Sequence, residues 1–223
     1  HMTAKDEDIL TSETLIKKGI VIDRLLQNVL VDKSIDPNSL LIGDKNALLV
    51  AVRITGYGAP YDTKMICPSC TKSVAQRFDL ALRTTYHATD EEVKEHGFDI
   101  SSNGRFELTM PSSKIVVGVR LMNGHDEDKL NKISENRRKN KLPESTLTDQ
   151  LRRMIVSVNG DSSSQMIKEY VEHMPARDSR YLRTTYHKVV PDINMAQEFS
   201  CASCGHTQEL EVPFTVDFFW PQQ

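Results

Sequence analysis

Cys67-Pro68-Ser69-Cys70 and Cys201-Ala202-Ser203-Cys204 contain all four cysteines of the chain. Each pair stands where a strand pattern breaks into a tight turn and then resumes. A Cys-x-x-Cys turn sets two thiolates on one side of a short loop. Two such turns facing each other supply the four sulfurs, at about 2.3 Å, that tetrahedral Zn²⁺ takes in closed structural sites. Gly205, directly after the second pair, suits the sharp turn because glycine tolerates positive φ. About 130 residues separate the pairs, far more than the usual short spacer, so tertiary folding has to complete the site.

Other chemistries compete for the same thiols. A disulfide within each turn is strained, and the polar residues after Met2 read as no secretory signal, so nothing points to an oxidising compartment. A thioredoxin-like redox pair needs a helix after its Cys-x-x-Cys, whereas Ala75–Phe78 and Gln208–Val212 continue as strands. Redox or unpaired cysteines are the alternatives to zinc. His206 could replace a thiolate, but four cysteines already fill the shell, and a surface or outer position suits it better. His87, His96, His125, His173 and His187 lack the spacings of catalytic zinc sites, and Gly56-x-Gly58 lacks the flanking strand and helix of a phosphate cradle. No arrangement of nucleophile, base and open metal position emerges, so the chain reads as a non-enzyme.

The elements that must position the thiols follow from periodicity. A polar stretch, 1–12, reads as a flexible arm or a docking segment, with His1 as a remnant ahead of a native start at Met2. Ile20–Leu30 carries helical spacing, Pro37 marks a break, and Asp44 reads as the cap of a helix over Lys45–Ile54. Thr63–Ile66 and Val74–Leu82 flank the first cysteine turn as a hairpin. A short helix between Thr89/Asp90 and Gly97 precedes a second hairpin, Arg105–Met110 and Ile115–Leu121. From Asp126 to Val190 the period is helical: Leu147, Leu151, Met154, Ile155 and Val158 form one stripe, Met166, Ile167, Tyr170, Val171 and Met174 a second, and Tyr181, Leu182, Thr185, Tyr186 and Val189 a third. Strands return around Cys201 and Cys204.

These elements predict an α+β fold: a β-hairpin zinc ribbon built from both ends of the chain, with an N-terminal helical segment and a helical insertion. The domain boundaries read as 13–121 plus 191–223 for the ribbon domain and 122–190 for the insertion. The hexapeptide Leu-Arg-Thr-Thr-Tyr-His occurs at 82–87 and again at 182–187, once at a strand end and once in a helix, which marks coincidence and not duplication.

With 223 residues the chain can bury a real core, and 26% charged residues with a net charge of −3 give no global basic field and no acidic excess. No apolar run reaches membrane-spanning length, so a soluble protein of a reducing compartment is expected. The compact basic run Arg137-Arg138-Lys139-Asn140-Lys141 follows Asp126-Glu127-Asp128 on one helix, where acid at the start and base at the end suit the macrodipole. A zinc-ribbon nucleic-acid binder is the alternative function. The apolar end, Phe214, Val216, Phe218, Phe219 and Trp220, points elsewhere: Phe218, Phe219 and Trp220 are the kind of anchors that dry interfaces use.

Gly43-Asp44-Lys45-Asn46-Ala47-Leu48-Leu49-Val50-Ala51-Val52-Arg53-Ile54-Thr55-Gly56-Tyr57-Gly58, then Tyr61 and the first cysteine pair, form one block. Cys201–Gly205, Glu211–Phe214 and Asp217–Pro221 form a second. Together they resemble the baseplate hub subunit and hub-assembly proteins of contractile-tailed, T-even-like bacteriophages; the stretch 122–175 carries no such match. The resemblance implies a non-enzymatic hub component or transient assembly factor that contacts other tail proteins, in the virion tail and, during assembly, in the host cytoplasm. It also implies that Cys67, Cys70, Cys201 and Cys204 ligate metal and that the terminal aromatics dock.

Overall fold

The computed structural model describes residues 2–86, 88–100, 106–213 and 218–219. Helices α1 (Ala4–Thr11), α2 (Glu13–Lys17), α3 (Val21–Val29) and α4 (Ile42–Tyr57) lead into strands β1 (Pro60–Ile66), β2 (Ser73–Asp79) and β3 (Thr84–Tyr86). Next come α5 (Asp90–Glu95), β4 (Phe98–Ile100), β5 (Phe106–Thr109), β6 (Val116–Val119), α6 (Gly124–Lys139), α7 (Thr146–Met154), β7 (Ile155–Val158), α8 (Ser164–His173) and α9 (Ala176–Val189). Strands β8 (Asp192–Asn194), β9 (Ala196–Ser200) and β10 (Thr207–Glu211) follow. The fold thus mixes helices with small antiparallel sheets. Among the described residues no helix is long and apolar enough to cross a membrane.

The chain divides into two compact units, 1–37 with 44–86 and 192–223, and 38–43 with 87–191. In the first, β1 pairs with β2, β9 with β10, and β3 with β8, all antiparallel. Alternation in β1 and β2 buries Tyr61, Thr63, Val74 and Phe78 and turns Asp62, Lys64, Ala75 and Arg77 outward. Leu10, Leu25, Leu26, Val50, Leu80 and Val212 complete the core. Buried Arg53 ties the end of α4 to β1: its Nη1 donates to the Gly58 carbonyl at 2.8 Å and its Nη2 to that of Pro60 at 3.3 Å. Its guanidinium lies 5.3 Å from the ring centre of Tyr57 and 5.9 Å from that of Tyr61. Gly58, at φ +83°, closes that turn.

The segment expected as a flexible arm is instead helix α1. The Thr3 amide and hydroxyl both donate to one Asp6 carboxylate oxygen, and Asn28 on α3 donates to the other. Leu10, 1% exposed, enters the core, so packing orders a helix that composition alone does not demand. Helix α4 begins two residues before the expected cap, and Asp44 instead sits in its first turn, where a carboxylate suits the dipole.

The second unit carries a four-stranded antiparallel sheet in the order β4-β5-β6-β7, with α5 to α9 around a core that includes Phe98, Leu108, Val117, Leu151 and Leu182. It therefore differs from the helical insertion expected over 122–190: the second hairpin belongs to it, and its main segment starts at residue 87. The stripe that read as helical through Val158 changes at Ile155, where β-branched Ile155, Val156 and Val158 join the sheet edge as β7. The two hexapeptides differ as expected, with Thr84–Tyr86 in a strand and Leu182–His187 in α9, while His87 lies outside the described residues.

Candidate metal centre

Two hairpins of the first unit carry the cysteines. The loop Cys67–Lys72 joins β1 to β2, and the loop Cys201–His206 joins β9 to β10. Their backbones repeat each other. The Cys67 amide donates to the Lys72 carbonyl at 2.9 Å and the Thr71 amide to the Cys67 carbonyl at 2.9 Å; the matching bonds, Cys201 to His206 and Gly205 to Cys201, span 2.9 and 2.8 Å. Thr71 and Gly205 stand at the same position of the loop, with φ +57° and +72°.

The loops bring the four sulfurs within 4.8 Å of one another. Cys67 and Cys204 Sγ lie 3.7 Å apart, and Cys70 and Cys201 Sγ 3.8 Å apart. A tetrahedron with metal–sulfur bonds of about 2.3 Å has edges of about 3.8 Å, whereas a disulfide needs about 2.05 Å. The cysteines are free thiols, and their spacing fits a single ion enclosed by four sulfurs. Such a set suits Zn²⁺ or iron. Among the described residues this is the one cluster of His, Cys, Asp or Glu able to hold a metal.

Local donors favour thiolate at Cys67 and not at Cys204. The Cys70 amide, against the cost of burial and helped by the Ser69 amide and the neighbouring thiols, lowers the Cys67 pKa to about 6. At Cys204 the His206 amide pulls down, but the Cys201 thiol, burial and the Cys70 and Cys67 thiols outweigh it and push the pKa up to about 11. Four thiols this close resist full ionisation unless a cation joins them. Cys67 and Cys201 are buried against Val74 and Phe199, with Met65 and Leu210 packed on the edge of this small core. The His206 ring donates to the Gln208 side-chain oxygen at 3.1 Å and takes no place among the ligands.

Sequence reasoning missed the parts that hold the loops together. Gln197 on β9 bonds both backbone groups of Asp79 on β2, and the Tyr61 hydroxyl donates to the Pro213 carbonyl at 3.2 Å. The alternation of Val74 and Phe199 was a readable signal for the small core, but a glutamine among polar residues gives none. Phe218 and Phe219 are 1% and 5% exposed and stack edge to face, Phe218 also against Tyr61 at 5.4 Å. These two rings are spent on the unit's own core, so docking through them requires the segment to leave it; Trp220 lies outside the described residues. In the basic run, Arg137 meets Asp149 at 3.5 Å and Lys139 meets Glu135 at 3.9 Å, as suits the solvated end of a capped helix.

A family model described as T4 bacteriophage base plate protein matches residues 1–220, so the chain belongs to that family. Neither a curated protein nor a solved structure matches it. Membership makes the chain a structural component of the phage tail.

Proposed function

We propose that this member of the base plate family is a non-enzymatic hub component or hub-assembly factor that binds other tail proteins, with a structural zinc ion on Cys67, Cys70, Cys201 and Cys204. The family match over residues 1–220 carries the reading. The sulfur spacing supports zinc as the agent that fixes two distant hairpins, because all four positions would be filled by protein and none left for a substrate. The protein then works in the host cytoplasm during assembly and in the tail base plate of the virion. Partner contact at the chain end rests on Trp220, since Phe218 and Phe219 already serve the core.

Capture of tail proteins by the purified chain tests the role. Removing the whole aromatic end would also strip the core of Phe218 and Phe219, so Trp220→Ala is the informative variant. Loss of capture at unchanged thermal stability supports docking there; undiminished capture overturns it. Metal analysis should find one zinc per chain, and Cys201→Ser should lose the ion together with thermal stability. A Cys201→Ser protein with full metal content and unchanged stability would end the zinc reading.

A further inference from the structure

We infer that the Gln197 side chain is a second, metal-independent clasp between the two cysteine hairpins, which presets the thiols before an ion arrives; this rests on the metal reading above. Gln197 lies on β9 four residues before Cys201, and Asp79 ends β2 nine residues after Cys70. The Asp79 amide donates to Gln197 Oε1 at 3.0 Å, and Gln197 Nε2 donates to the Asp79 carbonyl at 2.8 Å. The carboxamide therefore satisfies both backbone groups of one residue, as a neighbouring strand would, across 118 positions of sequence.

Asp79 is a fixed point for this bond. Its own carboxylate accepts the Ala81 amide at 2.9 Å, and the next residue, Leu80, donates its amide to the Ala59 carbonyl at 2.9 Å. On the other side, Gln197 pairs with Leu210 in the β9–β10 register, two residues from Phe199, which packs on Cys67 and Cys201. A shift of β9 along β2 would break both amide bonds at once, so the clasp fixes register as well as distance. Because both bonds are made by protein groups alone, this tie holds the two hairpins in register whether or not an ion is bound. Only glutamine has the right pair of groups on the right stem. Glutamate keeps the acceptor but sets a carboxylate against the Asp79 carbonyl, and methionine keeps the stem but loses both bonds.

Hydrogen exchange and metal release in the full chain, wild type, Gln197→Met and Gln197→Glu, test the clasp. In metal-free Gln197→Met the Asp79 amide should exchange at least about tenfold faster while amides of the β4–β7 sheet are unchanged, because only that amide loses its partner. Zinc-loaded Gln197→Met should still hold one ion per chain but release it to a chelator roughly tenfold faster, as loss of outer support does at metal sites. Gln197→Glu should retain Asp79 protection and release metal faster than wild type, and it decides the matter if Gln197→Met fails to fold. Unchanged release in Gln197→Met, or retained Asp79 protection, would overturn the clasp. Should the wild type bind no ion, the metal reading fails separately, and Asp79 exchange alone supports or overturns the tie.

Discussion

Thr71 and Gly205 occupy the same place in the two cysteine loops, yet only one is suited to it. At positive φ an L side chain crowds the backbone at a cost of about 1–2 kcal/mol, which a threonine bears and a glycine avoids. A Cβ built at Gly205 would meet no atom within 4 Å, so backbone strain is the whole penalty there. Gly205→Ala should therefore lower stability by about 1 kcal/mol in denaturant unfolding. Thr71→Gly should leave stability unchanged or raise it, because relief of strain offsets the extra freedom of the unfolded chain. The opposite order would mean that the threonine hydroxyl, which donates to the Cys70 carbonyl at 2.7 Å, outweighs the strain. Gly205 was legible in the sequence as a turn residue beside paired cysteines. Thr71 was not, since a threonine announces no left-handed conformation, and neither was Gln197, whose partner lies far along the chain.

Strands and helices of the second unit depend on two close fits. At the first turn of α9, Asp178 is fully buried and accepts the amides of Ser112 and Ser113, at 2.7 and 2.9 Å, in the turn between β5 and β6. Burial pushes its pKa up, but the donors of the Ser112–Ser113 turn, the two amides above all, prevail and hold it below the ordinary carboxylate value. A lowered folded pKa means stability that is present above the unfolded value, about 3.9, and is lost as pH falls through the folded one. Asp178→Asn should cost about 1–3 kcal/mol at neutral pH and flatten the loss of stability below about pH 4, as measured by denaturant midpoints across pH. The second fit lies between β6 and β7, where a Cβ on Gly118 would come within 2.2 Å of Ser157 Oγ but only 3.5 Å from its Cβ. Gly118→Ala alone should cost about 1–3 kcal/mol, and much less in a Ser157→Ala background, which a double-mutant cycle would reveal. Periodicity made α3, α8 and α9 legible, since each lies on a clear apolar stripe. It carried the α7 stripe too far because Ile155 and Val158 fit a helical face as well as a strand, and only the β-branched run pointed to β7.

At the scale of the chain, the two ends build one unit, the sequence between them supplies most of the other, and each unit has its own core. The border near residue 87 is not legible in the sequence, because the β4–β6 strands resemble any hairpin until their pairing with β7 is known. All four thiols belong to the first unit, and the second contains no cysteine. Metal binding should therefore stabilise one unit and leave the other alone. Calorimetry of the zinc-loaded protein with and without a chelator is the direct measurement. Metal removal should lower the transition that belongs to the first unit, while the second keeps its midpoint and the amides of the β4–β7 sheet keep their protection in hydrogen exchange. Within the first unit the chelated protein should retain partial structure, since the β3–β8 ladder and the Tyr61–Pro213 bond join its two arms without any ion. A single transition that moves as a whole would instead show that the two cores unfold cooperatively, and that the metal governs the stability of the entire chain.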